Sequence, residues 1–316
     1  MHFVVMKNSS INKDFKTPVL LNVFNRPYET SCVLEVLAAQ EIPILYVHCD
    51  GARDGNNSDI SNVELVKQLI SQKVTWDCEL HTMYEDCNYG CGLGPYRAIS
   101  WFFDNVEEGI IIEDDCIPHP DFFMYCQELL EYYRTDEKIA TIGGTNRHQH
   151  RKKHKSSYYF SAYSEIWGWA SWRRAWKQYD YDFMVSDKDF FCKMYPFVKS
   201  IGATKHWVNI LRIVRKDTLL KNKTYWDYQM DLNFLYLKKR HIIPSVNLVS
   251  NIGFNENATH TTSIYSQNAN IPINPILPLI HPKRISLRYT DNNEYNTILR
   301  KIKKFIIKIL RKVFHN

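Results

Sequence analysis

The sequence lacks the segments and spacings that mark several large classes of protein. No run of apolar residues is long enough to span a bilayer, and residues 1–16 are polar, without the apolar stretch of a secretory signal. The eight cysteines form no CxxC pair, and several lie inside apolar runs. They are therefore expected to be reduced, mostly buried thiols of a cytosolic protein rather than a disulfide framework. Zinc bound by Cys87, Cys91 and His81 is disfavoured, because the spacing does not fit the common zinc sites.

Signatures of DNA- and RNA-binding modules are also missing. The formal net charge is +6, and the basic residues cluster at 147–155, at 238–241 and in the last seventeen residues. No helix-turn-helix, zinc-finger or RRM pattern accompanies these clusters, so we expect no nucleic-acid partner. A membrane surface or a phosphate-rich substrate fits the same charge.

The composition itself is typical of a folded domain. Hydrophobic residues make up 45% of the 316 residues, which is enough to bury a substantial core. One large α/β domain with at most a small appendage is expected. Aromatic residues make up 14%, which is compatible with ordinary packing and with stacking surfaces for sugar rings or bases.

Strands and helices alternate along the first half of the chain. An apolar run at 17–24 ends in the turn Asn25-Arg26-Pro27, helical spacing follows at 28–40, and a second apolar run at 42–49 ends in Asp50-Gly51. This order predicts a parallel sheet. Further helices are predicted near 63–70, 95–105 and 120–133, further strands near 79–83, 109–112 and 139–142, and a glycine-rich loop at 88–94. The predicted fold class is α/β, an open and mostly parallel sheet flanked by helices.

The C-terminal part of the chain has a different pattern. Prolines at 272, 275, 278 and 282 predict an irregular connection over 266–292. We therefore expect an extension at 1–16, a main domain at 17–265, this connection, and a tail at 293–316. The tail has apolar residues on one helical face and basic residues on its flanks, which predicts an amphipathic helix lying on an anionic membrane surface. A helix packed on the core with a solvated basic face is the alternative.

The junction at 109–115 is the most informative in the chain. Gly109-Ile-Ile-Ile112 reads as a buried strand and runs directly into Glu113-Asp114-Asp115. Open parallel sheets bind ligands at the carboxyl ends of their strands, and three adjacent carboxylates repel one another unless a cation lies among them. Mg²⁺ and Mn²⁺ prefer carboxylate oxygens and bridge to substrate phosphates. The pattern predicts a divalent metal site, with a solvated acidic turn as the alternative.

Two aromatic-rich segments lie further along the chain. Asp227 stands among three aromatic residues, so partial burial would tune it toward proton abstraction, although an aspartate at a helix start has the same appearance. The segment 163–172 carries Trp167 and Trp169 on either side of a glycine. It predicts an apolar wall for a sugar site or, alternatively, a helix start that buries Trp167 and Trp172.

In their order, these segments resemble inverting glycosyltransferases of the GT-A fold, most closely the N-acetylglucosaminyltransferase I type and its bacterial relatives. The resemblance covers residues 18–260. Its elements are 19–26, Asp50-Gly51, 111–115, 120–123, 167–169, Trp226-Asp227, 251–254 and His260. Each element is moderately specific, and their order and spacing together are much more so.

The resemblance implies a role for each matched position. Asp115 would coordinate the ion, Mn²⁺ or Mg²⁺, that bridges the diphosphate, and Asp227 would be the catalytic base. The remaining residues would bind the nucleotide sugar: Asn25, Arg26, Asp50, Gly51, Glu113, Asp114, Trp169 and His260.

Two departures from the family's pattern affect these roles. The loop 88–97 matches poorly, which leaves the donor sugar open. Where the animal enzymes have two adjacent acids, this chain has Asp227-Tyr228, with Asp231 one turn later as the alternative base.

The predicted function is transfer of a sugar, with inversion, from a nucleotide-diphosphate sugar such as a UDP-sugar to a glycan or lipid-linked acceptor. The chain is low in glycine and rich in Ile, Asn and Lys, and in this it resembles enzymes of bacterial surface-polysaccharide or lipopolysaccharide synthesis. By the same resemblance and the basic tail, we expect a cytoplasmic protein held peripherally on the inner face of the cell membrane.

Two other functions stay open at this stage. A sugar-phosphate nucleotidyltransferase uses a related sheet, although residues 20–27 lack the glycine-rich, basic loop expected of one. A non-catalytic carbohydrate-binding or scaffold protein would need neither the metal ligand Asp115 nor the base Asp227. A nicotinamide oxidoreductase is disfavoured, because the glycines at 90–94 are spaced GxGxG and do not follow the first strand.

Overall fold

The computed structural model describes residues 14–147, 155–222, 224–254, 269–289 and 291. His260, the predicted tail helix, most of the predicted N-terminal extension and most of the basic cluster at 147–155 lie outside the described residues. The boundary predicted at residue 265 also lies outside them.

The described residues form ten strands and eight helices. The strands are β1 (Val19–Val23), β2 (Ile44–Cys49), β3 (Glu79–Tyr84), β4 (Glu108–Glu113), β5 (Cys116–Pro118), β6 (Ile139–Gly143), β7 (Tyr158–Ser161), β8 (Trp169–Trp172), β9 (Arg240–Pro244) and β10 (Val249–Asn251). The helices are α1 (Pro27–Ala39), α2 (Asn57–Lys73), α3 (Gly90–Asn105), α4 (Asp121–Tyr132), α5 (Arg173–Trp176), α6 (Asp187–Val198), α7 (Ile201–Leu219) and α8 (Asp227–Tyr236).

Eight of the strands form one central sheet in the order β3-β2-β1-β4-β8-β6-β9-β7. Strands β3, β2, β1 and β4 pair in parallel, as do β6 and β9, whereas β8 and β7 run antiparallel to their neighbours. Strands β5 and β10 form a separate antiparallel pair. The predicted open, mostly parallel sheet flanked by helices is confirmed.

Alternate residues of each central strand face two different layers of helices, as the period of a strand requires. On one face, Val19 and Leu21 of β1 pack with buried residues of α1, α2 and α4. On the other face, Leu20 packs with buried residues of α3, α5 and α8. Burial on both faces explains why β1, β2 and β4 read as continuous apolar runs in the sequence.

Helix α8 joins the central sheet to a third cluster of buried residues. Met230 and Phe234 pack in the same cluster as Leu20, on the α3 and α5 side of the sheet. Leu232 and Leu235 pack against buried residues of α6 and α7. The first residue of α8 is Asp227. Burial on both sides fixes the position of this helix, and with it the position of Asp227 relative to the sheet.

Helix α3 begins earlier than the sequence predicts. Residues 88–94 are expected as a glycine-rich loop, but the helix starts at Gly90, whose φ is +75°. The carboxylate of Asp50 accepts hydrogen bonds from the backbone N–H groups of Tyr89 and Gly90 at 2.9 and 3.0 Å. A carboxylate at a helix N-terminus satisfies N–H groups that have no partner inside the helix. A partner 40 residues away in sequence therefore extends the helix.

Other sequence expectations have mixed outcomes. All eight cysteines are free, but Cys87, Cys91 and Cys192 are exposed, so burial is not general. None of the helices in the described ranges is both long and apolar enough to cross a membrane. Residues 269–289 are mostly irregular, apart from a β-bridge between Leu287 and Phe160 and a 3-10 conformation at Tyr289, and Ile271 and Ile276 within them are buried.

Candidate active site

The carboxyl ends of β1, β2 and β4 meet at one edge of the sheet. Val23 of β1 pairs with Cys49 of β2, and Asn22 pairs with Glu113 of β4, so the three strands end nearly level. The segments that follow them, 24–26, 50–51 and 114–115, are therefore neighbours at this edge. The sequence prediction that the carboxylates lie where parallel sheets bind ligands agrees with this geometry.

Glu113, Asp114 and Asp115 are here called the acidic cluster, and its last two members pair with the guanidinium of Arg26. Nη1 of Arg26 lies 2.7 Å from Oδ2 of Asp115 and 3.5 Å from Oδ1 of Asp114. Asp114 and Asp115 are both only 7% exposed. If all three carboxylates were ionised, the cluster would have more negative charge than Arg26 balances.

Two acids of the cluster, Glu113 and Asp114, have raised pKa values. Burial, with repulsion from Asp115, Asp114 and Asp227, raises the pKa of Glu113 to about 8. Burial raises the pKa of Asp114 to about 7, even though Arg26 opposes the shift. A cation placed among the carboxylates would oppose both shifts, because it favours the charged forms of the acids.

Asp115 is held in place by the short segment that ends β10. Nδ2 of Asn251 donates to Oδ1 of Asp115 at 3.0 Å, and the backbone N–H of Ile252 donates to its carbonyl oxygen at 2.8 Å. A Cβ atom at Gly253 would lie only 2.0 Å from Oδ2 of Asp115, so a side chain is excluded at this position. Sequence reasoning included 251–254 as a matched element but gave these residues no role.

The residues present fit a hard divalent cation. Ligand atoms of Glu113, Asp115 and Cys116 all lie within 4.8 Å of one another. Burial raises the pKa of the Cys116 thiol well above its usual value, and a thiol is a soft ligand that hard cations such as Mg²⁺ do not prefer. Two carboxylates would remain, and Mg²⁺ sites commonly use one or two carboxylates completed by water and substrate phosphates.

Asp227, the first residue of α8, lies near the acidic cluster. Its negative charge contributes to the raised pKa of Glu113 and to that of Cys91, near the start of α3. Cys91 also donates to the carbonyl oxygen of Thr224 at 3.5 Å, which brings the start of α3 to the segment before Asp227. Asp227 thus lies within electrostatic reach of both the acidic cluster and α3.

Asp231, the alternative base, is committed to another contact. It accepts hydrogen bonds from Oγ and from the backbone N–H of Ser164 at 2.6 and 3.3 Å. Burial raises the pKa of Asp231 to about 7. Asp231 thus links Ser164 to α8.

Asp50 and Gly51 have a positioning role that the sequence did not predict. The carboxylate of Asp50 accepts four hydrogen bonds, from N–H groups of Gly51, Tyr89 and Gly90 and from Nδ2 of Asn88. A carboxylate has about four acceptor positions, so this one is fully used within the protein. A Cβ at Gly51 would lie 2.5 Å from the backbone of Cys87. Both residues shape the turn before α3 instead of offering free groups to a ligand.

The other residues predicted to bind the nucleotide sugar have different positions. Trp169 is 1% exposed and stacks on Trp226 with ring centroids 6.2 Å apart, so its side chain packs beneath the site and presents almost no surface to a ligand. Nδ2 of Asn25 donates to Asp59 at 2.7 Å. Trp167 is only partly buried and packs edge-on against Phe254, two residues beyond Ile252. The prediction for His260 lies outside the described residues.

Comparison with known proteins gives limited similarity. No family model and no curated protein sequence matches the chain. Among solved structures, HddC from Yersinia pseudotuberculosis is 11% identical, with 50% of this chain and 78% of that chain covered and a TM-score of 0.31. The 4-diphosphocytidyl-2C-methyl-D-erythritol synthase from Anaerococcus prevotii is 10% identical, with coverages of 60% and 85% and a TM-score of 0.34.

A UDP-glucose pyrophosphorylase solved with UDP-glucose is 11% identical, with coverages of 52% and 79% and a TM-score of 0.29. None of these three is a glycosyltransferase by name. Superpositions of this quality do not define a family, so a function for this chain depends on the geometry of its own site.

Proposed function

We propose that the chain is a metal-dependent glycosyltransferase that moves a sugar from a nucleotide-diphosphate sugar, such as a UDP-sugar, to a glycan or lipid-linked acceptor with inversion. The observation that carries this proposal is the proximity of two acidic groups: the charge of Asp227, at the start of α8, helps to raise the pKa of Glu113 in the acidic cluster. Within that cluster, Arg26 pairs with Asp114 and Asp115.

The acidic cluster would serve the leaving group. Glu113 and Asp115 would hold Mn²⁺ or Mg²⁺, and such an ion, when bound, neutralises the charge of a diphosphate. Arg26, at the end of β1, has the charge and position to bind the same phosphates. Asn251 and Gly253 keep the carboxylate of Asp115 fixed for this task.

Asp227 would serve the acceptor. As the acceptor oxygen forms a bond to the anomeric carbon, the bond from that carbon to the diphosphate breaks, and its electron pair leaves with the nucleotide. The proton of the acceptor hydroxyl passes to the carboxylate of Asp227. A positioned general base contributes roughly 10² to 10⁴ in rate.

A sugar-phosphate nucleotidyltransferase is the second candidate. The named structural neighbours include a protein of this class, a UDP-glucose pyrophosphorylase. A metal held by the acidic cluster would suit its phosphates equally well. Asp227 separates the two reactions, because a sugar phosphate attacks as an ionised oxygen and needs no base, whereas an acceptor hydroxyl does.

Two assays on the same preparation distinguish these functions. A panel of UDP-sugars with Mn²⁺ is tested for released UDP, and UTP with sugar 1-phosphates is tested for released pyrophosphate. We expect UDP release that Asp227→Asn lowers by about 10²- to 10⁴-fold while donor binding persists. Asp231→Asn is the matched control and should lower the rate far less. Pyrophosphate release that survives Asp227→Asn would instead assign the nucleotidyltransferase reaction, and no turnover in either assay would favour a binding protein.

A further inference from the structure

We propose that Arg26 is a resident counter-ion of the acidic cluster, and that its guanidinium and a divalent cation occupy the same oxygen of Asp115 in turn. The inference rests on the proposed function in one respect, since it assumes that the cluster takes a divalent ion. It adds a competition within the site that couples metal binding to nucleotide binding.

Both oxygens of Asp115 already carry a donor. Oδ1 accepts from Nδ2 of Asn251 at 3.0 Å, and Oδ2 accepts from Nη1 of Arg26 at 2.7 Å. The ligand atoms that fit a metal include a carboxylate oxygen of this same residue, together with Glu113. A bound ion and the guanidinium would both lie against this carboxylate, and two positive charges placed there repel each other.

The guanidinium is the partner that is able to move. Asp115 cannot swing aside, because its carboxylate is tied to Asn251 and packs so closely on the backbone at Gly253 that a Cβ atom there would lie 2.0 Å away. The side chain of Arg26 is 22% exposed, against 10% for those of Asp114 and Asp115. Arg26 therefore lies on the solvent side of the cluster and has room to leave it.

Displacement of Arg26 has a consequence for the nucleotide. Released from Asp115, the guanidinium stays tethered at the end of β1, at the sheet edge where a diphosphate bridged by the metal would lie. Arginine binds phosphate through two parallel hydrogen bonds. Metal binding would thus prepare a phosphate ligand, and metal and nucleotide would each raise the affinity for the other by the same factor.

The test measures Mn²⁺ alone, without nucleotide, by the loss of the free-ion electron paramagnetic resonance signal at pH 8. We expect Arg26→Gln to bind Mn²⁺ about tenfold more tightly than the unsubstituted protein, because the competing charge-assisted hydrogen bond is gone. Arg26→Lys keeps the charge but loses the planar fork, and should lie between the two. Arg134→Gln is the matched control, because Arg134 pairs with Glu108 at 2.9 Å at the opposite end of β4.

A second measurement uses UDP as the probe. In the unsubstituted protein Mn²⁺ should tighten UDP binding, and in Arg26→Gln this coupling factor should fall several-fold. Thermal unfolding checks that each variant is folded.

The outcomes are distinguishable. If the unsubstituted protein binds Mn²⁺ and Arg26→Gln binds it no more tightly, the competition is refuted while the metal-dependent function stands. If neither protein binds Mn²⁺, the metal site of the proposed function fails and the competition fails with it.

Discussion

Individual carboxylates carry most of the functional information in this chain. A buried carboxylate lowers the stability of the folded state unless it is paired. Removing the partner of a buried carboxylate lowers stability strongly, because a buried charge is then left unpaired. Asp59 and Asp187 are ordinary in this respect, since each is paired with an arginine. Glu113 and Asp114 differ, because their pKa values are raised to about 8 and about 7 in spite of Arg26. Such groups cluster at functional sites.

The raised pKa values predict how stability depends on pH. A carboxyl group in an unfolded chain releases its proton near pH 4. Between that pH and about 8 the native state therefore holds protons at Glu113, Asp114 and Asp231 that the unfolded chain has lost, so stability falls as pH rises. His48 and His241, with pKa values lowered by burial to about 4 and about 3, act in the opposite direction below pH 6.5.

Above pH 6.5 the histidine contribution is complete and the carboxyl contribution remains. We expect the melting temperature of the metal-free protein to fall by a few degrees between pH 6.5 and 8.5, and Glu113→Gln to flatten this fall. Mn²⁺ should stabilise the protein more at pH 8.5 than at pH 6.5, because metal ligands must be deprotonated. Differential scanning fluorimetry at constant ionic strength measures both. A melting temperature that does not change over this range would contradict the assigned pKa shifts.

At the scale of secondary-structure elements, the site depends on pairings between distant parts of the chain. Strands β5 and β10 bring Asn251 beside Cys116 and thereby onto Asp115. Asp50 at the end of β2 starts α3, and Ser164 ties its segment to α8 through Asp231. Each of these contacts places or fixes a group at the carboxyl edge of the sheet.

The close approach at Gly253 predicts a large effect from a single methyl group. Gly253→Ala would place a Cβ against Oδ2 of Asp115 and displace the carboxylate, so we expect Mn²⁺ affinity to fall by tenfold or more and stability to fall by about 1–3 kcal/mol. Gly55→Ala is the matched control, because Gly55 has a φ of +70° but open space around it. It should cost about 1–2 kcal/mol of stability and leave Mn²⁺ affinity unchanged. Equal metal affinities in the two variants would refute the role given to Gly253.

The elements that could be predicted from sequence are those whose burial is local and regular. Strands β1, β2 and β4 are continuous apolar runs because both of their faces are covered, and α1, α2 and α4 have clear amphipathic spacing. The acidic edge of the sheet could be predicted from the residues at the strand ends alone. The start of α3, the full use of the Asp50 carboxylate and the hydrogen bond from Asn251 to Asp115 could not be predicted, because they depend on contacts between residues 38 to 136 positions apart.

The sequence also does not show on which face of the sheet each tryptophan of the short strand β8 lies. Trp169 and Trp172 are both buried on β8, but they belong to clusters on opposite sides of the sheet. A sequence of alternating tryptophans and small residues does not reveal which face meets a ligand. Trp169 was therefore predicted as a binding residue, although its burial gives it a packing role.

At the scale of the whole molecule, the site lies between two bodies of buried residues. The sheet with α1–α4 provides the acidic edge, and the cluster around α6, α7 and α8 holds the helix that begins with Asp227. A change in the packing of α8 would alter the distance between Asp227 and the acidic cluster. The membrane contact predicted for 293–316 lies outside the described residues and stays a prediction.

The tail prediction is tested by sedimentation with vesicles. Each basic residue near an anionic surface contributes about 1 kcal/mol, so the full chain should sediment with vesicles rich in phosphatidylglycerol and much less with neutral ones. Deletion after Asn293 should abolish this binding. Replacing Lys301, Lys304 and Lys308 by Gln keeps the apolar face of the predicted helix and should weaken binding strongly. Equal sedimentation of the full chain and the deletion variant would refute the predicted membrane contact of residues 293–316.

The central claim is that Asp115 and its neighbours hold a divalent ion and, through it, a nucleotide diphosphate. The most direct measurement is the shift in melting temperature caused by UDP with and without Mn²⁺, in the unsubstituted protein and in Asp115→Asn. We expect UDP to stabilise the unsubstituted protein by several degrees only when Mn²⁺ is present, and this shift to vanish in Asp115→Asn. Stabilisation by UDP that is indifferent to Mn²⁺, or that survives in Asp115→Asn, would contradict the claim.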